Sequence, residues 1–117
     1  MRFEDMEVWK RSARLSANIY RETSGLRDFG YRDQLTRSGL SVPSNIAEGY
    51  ERDGQLEIAR FLTFAKGSCG ELITQFYIGI EAEYIDRDVG LKWVKEGKEI
   101  AAILGALIKR HRRLAKS

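Results

Sequence analysis

QLTRSGLSVPSNIAEG, residues Gln34 to Gly49, holds the only proline of a 117-residue chain in the middle of a helical pattern. Leu35, Gly39, Val42, Ile46 and Gly49 recur at steps of three and four, which is one face of a helix. Pro43 stands beside that face. A proline in a helix interior removes one backbone hydrogen bond and presses on the carbonyl four residues back, here that of Gly39, at a cost of about 3 kcal/mol or more. A break at Pro43 would free amides for an anion, whereas a continuous helix would bend around its neighbours. The bent helix is expected, because an anion seat wants a true helix start. Ser41 or Ser44 is expected to repair the local backbone hydrogen bonding.

The same periodicity runs outward in both directions, and sustained strand-like alternation is absent. A first helix is expected from about Asp5 to Thr23, with Val8, Trp9, Ala13, Leu15, Ile19 and Tyr20 inward, ended by Ser24 and Gly25. Asp28 suits the N-cap of the second helix. A third begins near Asp53 and Gly54 and reaches about Tyr84, on a seam of Ile58, Leu62, Ala65, Cys69, Leu72, Phe76 and Gly79. Asp86 caps a fourth, carried by Trp93, Gly97, Ile100, Leu104 and Leu107, with Ile103 and Ile108 beside them. Connections of about two to six residues make neighbours antiparallel. The expected fold is all-α, an antiparallel up-down-up-down four-helix bundle forming a single domain over residues 1–117.

Two features exceed what a lone bundle needs. Gly39, Gly67, Gly70, Gly79, Gly97 and Gly105 lie inside helical patterns, where each costs about 1 kcal/mol relative to alanine and makes sense where backbones approach closely. Phe61, Phe64, Tyr77, Ile78 and Ile80 fall partly off the third seam. Surplus apolar surface of this kind marks an interface, so a homo-oligomer is expected.

Charge is unevenly placed. The chain has 20 Lys and Arg against 17 Asp and Glu. Five of those cations, and none of the acids, lie in residues 109–117, so residues 1–108 carry a net −2. A concentration of positive charge draws polyanions, or merely complements the negative end of a helix. The single Cys69 allows no intrachain disulfide, which suits a reducing compartment and a cytoplasmic location. No signal peptide is visible, and the longest apolar run, Ile100 to Ile108, is far short of the roughly 20 residues of a membrane span.

Signs of catalysis are poor. Cys69 sits on an apolar seam and reads as an inert thiol. His111 is the only histidine, which removes a two-histidine zinc site, and its arginine neighbours assign it to the basic surface. No metal, cofactor or phosphate-cradling glycine loop is expected. Ser41, Ser44, Asn45 and Glu48 could meet Ser68, Glu71 and Gln75 across antiparallel helices. Interhelical hydrogen bonds fixing register are the expected use of these groups, and a binding pocket is the functional alternative. Glu48 and Glu71 as an acid–base pair lack any supporting nucleophile or metal ligand.

Three stretches carry a family resemblance: FEDMEVWKRSARLSANIY from Phe3, QLTRSGLSVPSNIAEGYER from Gln34, and EIARFLTFAKGSCGELITQ from Glu57. Through them the chain resembles the four-helix-bundle proteins encoded by intervening sequences of bacterial 23S rRNA genes. Its departures are mild: Val42 where isoleucine is common, and Ser38 and Gly39 where alanines are common. The resemblance implies a homopentamer and no established reaction. That family is similar in turn to the accessory proteins of diversity-generating retroelements, basic pentamers that bind nucleic acid and a reverse transcriptase. The motif positions carried over are Arg37, Ser41, Pro43, Ser44, Asn45, Glu48, Gly49, Arg52, Gly67, Ser68 and Glu71.

The expected function is that of a non-catalytic oligomer binding nucleic acid, RNA first. Lys109, Arg110, Arg112, Arg113 and Lys116 would contact phosphate, with Lys10, Arg11 and Arg14 as a second cluster. If the fourth helix continues into the tail, Lys109, Arg112, Arg113 and Lys116 share one face and Arg110 points elsewhere. The tail has no Phe, Tyr or Trp, so base stacking is not expected there. The alternative is a structural adaptor that binds a protein partner through subunit grooves and the Asn45/Glu48 region. A membrane-surface role ranks last, because the apolar face of the fourth helix is needed for the bundle.

Overall fold

The computed structural model describes residues 2–117. A short 3-10 turn, Phe3–Asp5, leads into four helices: α1 (Glu7–Glu22), α2 (Phe29–Tyr50), α3 (Gln55–Glu81) and α4 (Arg87–Ala115). Among the described residues there is no strand. The helices lie lengthwise about one core, in a body measuring 50 × 22 × 19 Å. No helix of the described residues is long and apolar enough to cross a membrane.

The helix starts follow from capping chemistry. The Asp28 carboxylate accepts the Tyr31 amide at 3.0 Å, and Asp86 accepts the amides of Asp88 and Val89 at 3.1 and 3.2 Å. Ends were harder to place. α3 stops at Glu81, three residues before the expected Tyr84, because Glu83 takes a left-handed φ of 62°. The Tyr84 and Ile85 amides then turn back onto the Gly79 carbonyl at 2.8 and 3.1 Å. No glycine announces that stop.

Pro43 is buried within an unbroken α2, so no amides are freed for an anion. The expected repair differs in detail. Ser41 donates to the Ser38 carbonyl at 2.8 Å, and Ser44 is exposed. Among the described residues no side chain donates to the Gly39 carbonyl.

The α2 stripe (Leu35, Gly39, Val42, Ile46, Gly49) and the α3 seam from Ile58 to Gly79 are wholly buried. In α4, Trp93, Gly97, Ile100, Leu104 and Ile108 are buried, while Leu107 and Ile103 are half-buried. α1 departs most from expectation: Val8, Leu15 and Ile19 are buried, but Tyr20 is 45 % exposed. Trp9 and Ala13 are half-buried, and the buried face is completed by Ser12 and Ser16, small polar residues outside the expected stripe.

α3 is the central element, packed on α2 along one side and α4 along the other, with α1 closing against both α2 and α4. The end of α2 lies beside the start of α3, where a Cβ on Gly49 would stand 3.0 Å from the Cβ of Phe61. The start of α2 lies beside the end of α3, where the Tyr31 hydroxyl donates to the Gln75 carbonyl at 2.5 Å. Burial pushes that phenol up to about 12. Gly97 lets α4 close on α3, since a Cβ there would stand 3.0 Å from Ile73. Gly67 and Gly70 are different. A Cβ at either would meet nothing within 4 Å, so packing inside the chain does not account for them. They share the outer side of α3 with exposed Leu56, Phe64, Tyr77 and Ile78.

Candidate nucleic-acid interface

The C-terminal cations belong to a helix. α4 stays helical through Ala115, so the order of charges along the sequence becomes an order in space. Lys109, Arg110, Arg112, Arg113 and Lys116 are all exposed, and none is ion-paired among the described residues. At helical spacing Lys109, Arg112, Arg113 and Lys116 share a face and Arg110 diverges. Arg112 and Arg113 also sit favourably in the last turn, at the negative end of the helix.

Lys66 of α3 joins them. It lines a surface groove of about 450 Å³ with Lys109 and Arg112 of α4. The α4 side of that groove includes the small residues Ala102, Gly105 and Ala106, and no carboxylate lines it. The sequence reading missed Lys66, a single lysine amid LTFAKGS, because only the pairing of α3 with α4 brings it opposite Lys109.

His111 corrects another expectation. It is buried at 8 % exposure, not part of the basic surface. One ring nitrogen, Nδ1, lies 2.6 Å from the Gln55 side-chain oxygen, and Nε2 lies 2.8 Å from the Tyr50 hydroxyl. A neutral ring with its proton on Nδ1 satisfies both, donating to Gln55 and accepting from Tyr50. Burial, with Arg110 beside it, holds His111 below the usual histidine range. The ring therefore ties the end of α4 to the α2–α3 turn, directly behind the cations.

The second expected cluster is not a free patch. Arg11 is committed to α4: its Nε and one Nη reach the two Glu96 oxygens at 2.9 and 2.5 Å, and that Nη also reaches Glu99 at 2.6 Å. Hydrogen bonds to Glu96, then Glu99, hold the guanidinium above its ordinary value, and the Arg11 bond in turn lowers Glu96. Lys10 lies 3.8 Å from Glu7, and Arg14 is exposed. Arg11 braces two helices and leaves only Lys10 and Arg14 of the three at the surface.

The motif residues do not form the expected interhelical network. Asn45 donates to the Ser41 carbonyl at 2.9 Å, within α2. Glu48 pairs with Arg52 one turn on at 2.6 Å, and the Arg52 guanidinium lies 4.8 Å from the Phe61 ring centre. Arg37 and Glu71 are exposed, and Ser68 is half-buried. No hydrogen bond joins Ser41, Ser44, Asn45 or Glu48 to Ser68, Glu71 or Gln75 among the described residues. Polar ties across the α2–α3 pair come instead from Tyr31 and, through His111, from Tyr50 and Gln55. Glu48 and Glu71 show no shared geometry for acid–base work. Cys69 is buried, and its thiol is pushed up to about 12 by burial. Among the described residues no group of three or more His, Cys, Asp or Glu is placed to hold a metal ion.

Comparison with known proteins extends the picture. A crystal structure of a protein of unknown function from the S23 ribosomal protein family of Bacteroides thetaiotaomicron superposes with a TM-score of 0.82. It is 24 % identical and covers 87 % of this chain and 98 % of its own, a likeness that shows the fold. No curated protein matches the chain. The model of the 23S rRNA-intervening sequence protein family matches residues 4–106, which takes in Lys66, Gly105 and every motif position but stops short of Lys109 and the cations after it. By that match over most of its length, the chain belongs to the 23S rRNA-intervening sequence protein family.

Proposed function

We propose that this protein is a non-catalytic, oligomeric nucleic-acid-binding protein, with RNA as its ligand, held through the cationic end of α4. The observation that carries this reading is the set of five exposed cations on the last turns and C-cap of α4, unpaired among the described residues, with Lys66 of α3 across a groove from Lys109 and Arg112. Phosphate neutralisation by such a face is strong at low salt and nearly indifferent to sequence. Arg11, spent on Glu96 and Glu99, has no part in it.

The proposal includes assembly of antiparallel up-down-up-down bundles into a homopentamer. Support comes from the outer face of α3, where Leu56, Phe64, Tyr77 and Ile78 are exposed around two glycines that no neighbour in the chain requires. A ring would repeat the cationic helix ends and add their contacts through multivalency. The similarity of the family to retroelement accessory proteins, basic pentamers themselves, is an analogy in the same direction.

The test keeps His111, because removing the tail would also remove that latch. Lys109, Arg110, Arg112, Arg113 and Lys116 are changed to glutamine, and fluorescence anisotropy with a labelled RNA is measured at about 50 and 200 mM salt. Affinity at the lower salt should fall by at least about tenfold, and the salt slope should flatten by about 0.7 to 0.9 for each phosphate that is no longer neutralised. Unchanged affinity and slope would refute the reading, as would no binding by the unaltered chain at low salt.

A further inference from the structure

The groove between α3 and α4 has a chemistry that its charge alone does not describe. Its cations come from two helices: Lys66 from α3, and Lys109 and Arg112, three residues apart, from α4. Between those cations its α4 side carries Ala102, Gly105 and Ala106, residues that end at or one carbon beyond the backbone, beside the largely buried Ile108. A Cβ placed on Gly105 would stand 3.8 Å from both Cε and Nζ of Lys66. The ammonium of Lys66 therefore reaches over the barest point of α4. An arginine or lysine that merely solubilises a helix would extend into water. This one lies across the open space left by a glycine, facing cations of the other helix and no carboxylate.

Small, uncharged surface between cationic walls suits a ligand with two kinds of surface. A bare inorganic anion would satisfy the cations and leave the alanine and glycine surface to water. A sugar–phosphate chain would set its phosphates on the walls and the carbon face of its sugar on the floor. We propose that this groove is a seat for the sugar–phosphate backbone of a nucleic acid, and that Gly105 keeps it open. The seat rests on the nucleic-acid reading above and refines it: Lys66 and Gly105 become binding determinants beside the tail. The groove volume of about 450 Å³ is within the range of small-ligand sites.

Two substitutions separate charge from shape. Lys66→Gln removes one wall and leaves the tail intact. Gly105→Leu fills the floor, turns the Lys66 side chain aside and keeps every charged residue. The second should not unfold the chain, because it replaces glycine by a strong helix former in a helix interior and the atoms within 4 Å of a Cβ there are the flexible end of Lys66, at 3.8 Å. Far-ultraviolet circular dichroism and melting temperature check that. Binding is measured by anisotropy with a labelled single-stranded RNA of about twelve nucleotides, in competition with unlabelled RNA or with inorganic tripolyphosphate.

Lys66→Gln should weaken binding about three- to tenfold at low salt and flatten the salt slope by about 0.7. Gly105→Leu should weaken it by at least about fivefold with less change in slope, since the loss is one of fit and not of charge. Tripolyphosphate should compete less well than RNA at equal phosphate concentration. If both variants bind like the unaltered protein while the glutamine tail variant does not, the seat is wrong and the nucleic-acid reading stands. If tripolyphosphate competes equally, the sugar contact is refuted. If the unaltered chain binds no RNA, both readings fall together.

Discussion

Replacing Arg11 by glutamine should cost stability and leave RNA binding intact, which separates a brace from a binding residue. The side chains of Arg11 and Glu96 are 28 % and 32 % exposed, so their forked contact at 2.9 and 2.5 Å is partly screened from water. Hydrogen bonds to charged groups contribute about 1.5 to 3 kcal/mol when shielded, and partial exposure places this pair near the lower limit. The further arm to Glu99, whose side chain is 46 % exposed, adds no more than about 0.5 kcal/mol. A total near 1.5 to 2 kcal/mol corresponds to a fall in melting temperature of roughly 5 to 8 °C for a domain of this size. The consequence is structural because α1 and α4 touch along a limited seam, and Arg11 is its charged tie. Calorimetry or thermal circular dichroism reads the shift. A double-mutant cycle with Glu96→Gln should recover about 1 to 2 kcal/mol of coupling between the two residues. RNA affinity should stay within about twofold, the effect of removing one remote charge. An unchanged melting temperature with a several-fold loss of affinity would refute the argument and restore Arg11 to the binding surface.

Other expectations follow from single contacts. Since His111 is held below its ordinary value of 6.5, the unfolded chain takes up the proton first as pH falls; its contribution is intact above that value and is lost on acidification, so the melting temperature should drop below pH 6.5 and the drop should shrink in His111→Gln. Cys69 should resist a disulfide-exchange reagent in the native protein at neutral pH and react at once in denaturant, because it is 1 % exposed and its thiol is pushed up to about 12. Gly79→Ala should destabilise by about 1 to 3 kcal/mol in a denaturant titration, since its Cβ would overlap the Tyr31 hydroxyl and Ile85. Glu83→Gly should stabilise by about 0.5 to 1 kcal/mol in the same titration, by relieving a left-handed conformation at the end of α3.

Those sites also show where sequence reasoning reaches and where it stops. The buried stripes of α2 and α3 were legible residue by residue, because a period of three and four with few interruptions has one solution. α1 was less so. Its buried face mixes Val8, Leu15 and Ile19 with Ser12, and Ser12 sends its hydroxyl back to the Trp9 carbonyl at 2.9 Å, so a residue that looks polar in sequence is satisfied locally and packs as a small one. Glu83 hid the end of α3 for a related reason: the stop is fixed by amides turning onto Gly79, not by a residue that favours a left-handed backbone.

Charge was the least legible quantity. Lysines and arginines close in sequence look like a patch, but whether one is free depends on which helix lies across from it. Arg11 is consumed by Glu96, 85 positions away, and Lys66 is enlisted by Lys109 from another helix. Gly67 and Gly70 carry the same lesson beyond the chain. Each should lose about 1 kcal/mol of helix stability relative to alanine, and nothing within 4 Å repays it. If the isolated chain were the whole structure, Gly67→Ala and Gly70→Ala would raise stability and change nothing else. If α3 meets a second copy closely through that face, the same methyl groups would enter the contact and weaken assembly. Sedimentation of the double alanine variant beside its melting curve therefore tests association from the chain's own energetics. A more stable variant sedimenting as unaltered protein would show that these glycines do not serve an interface.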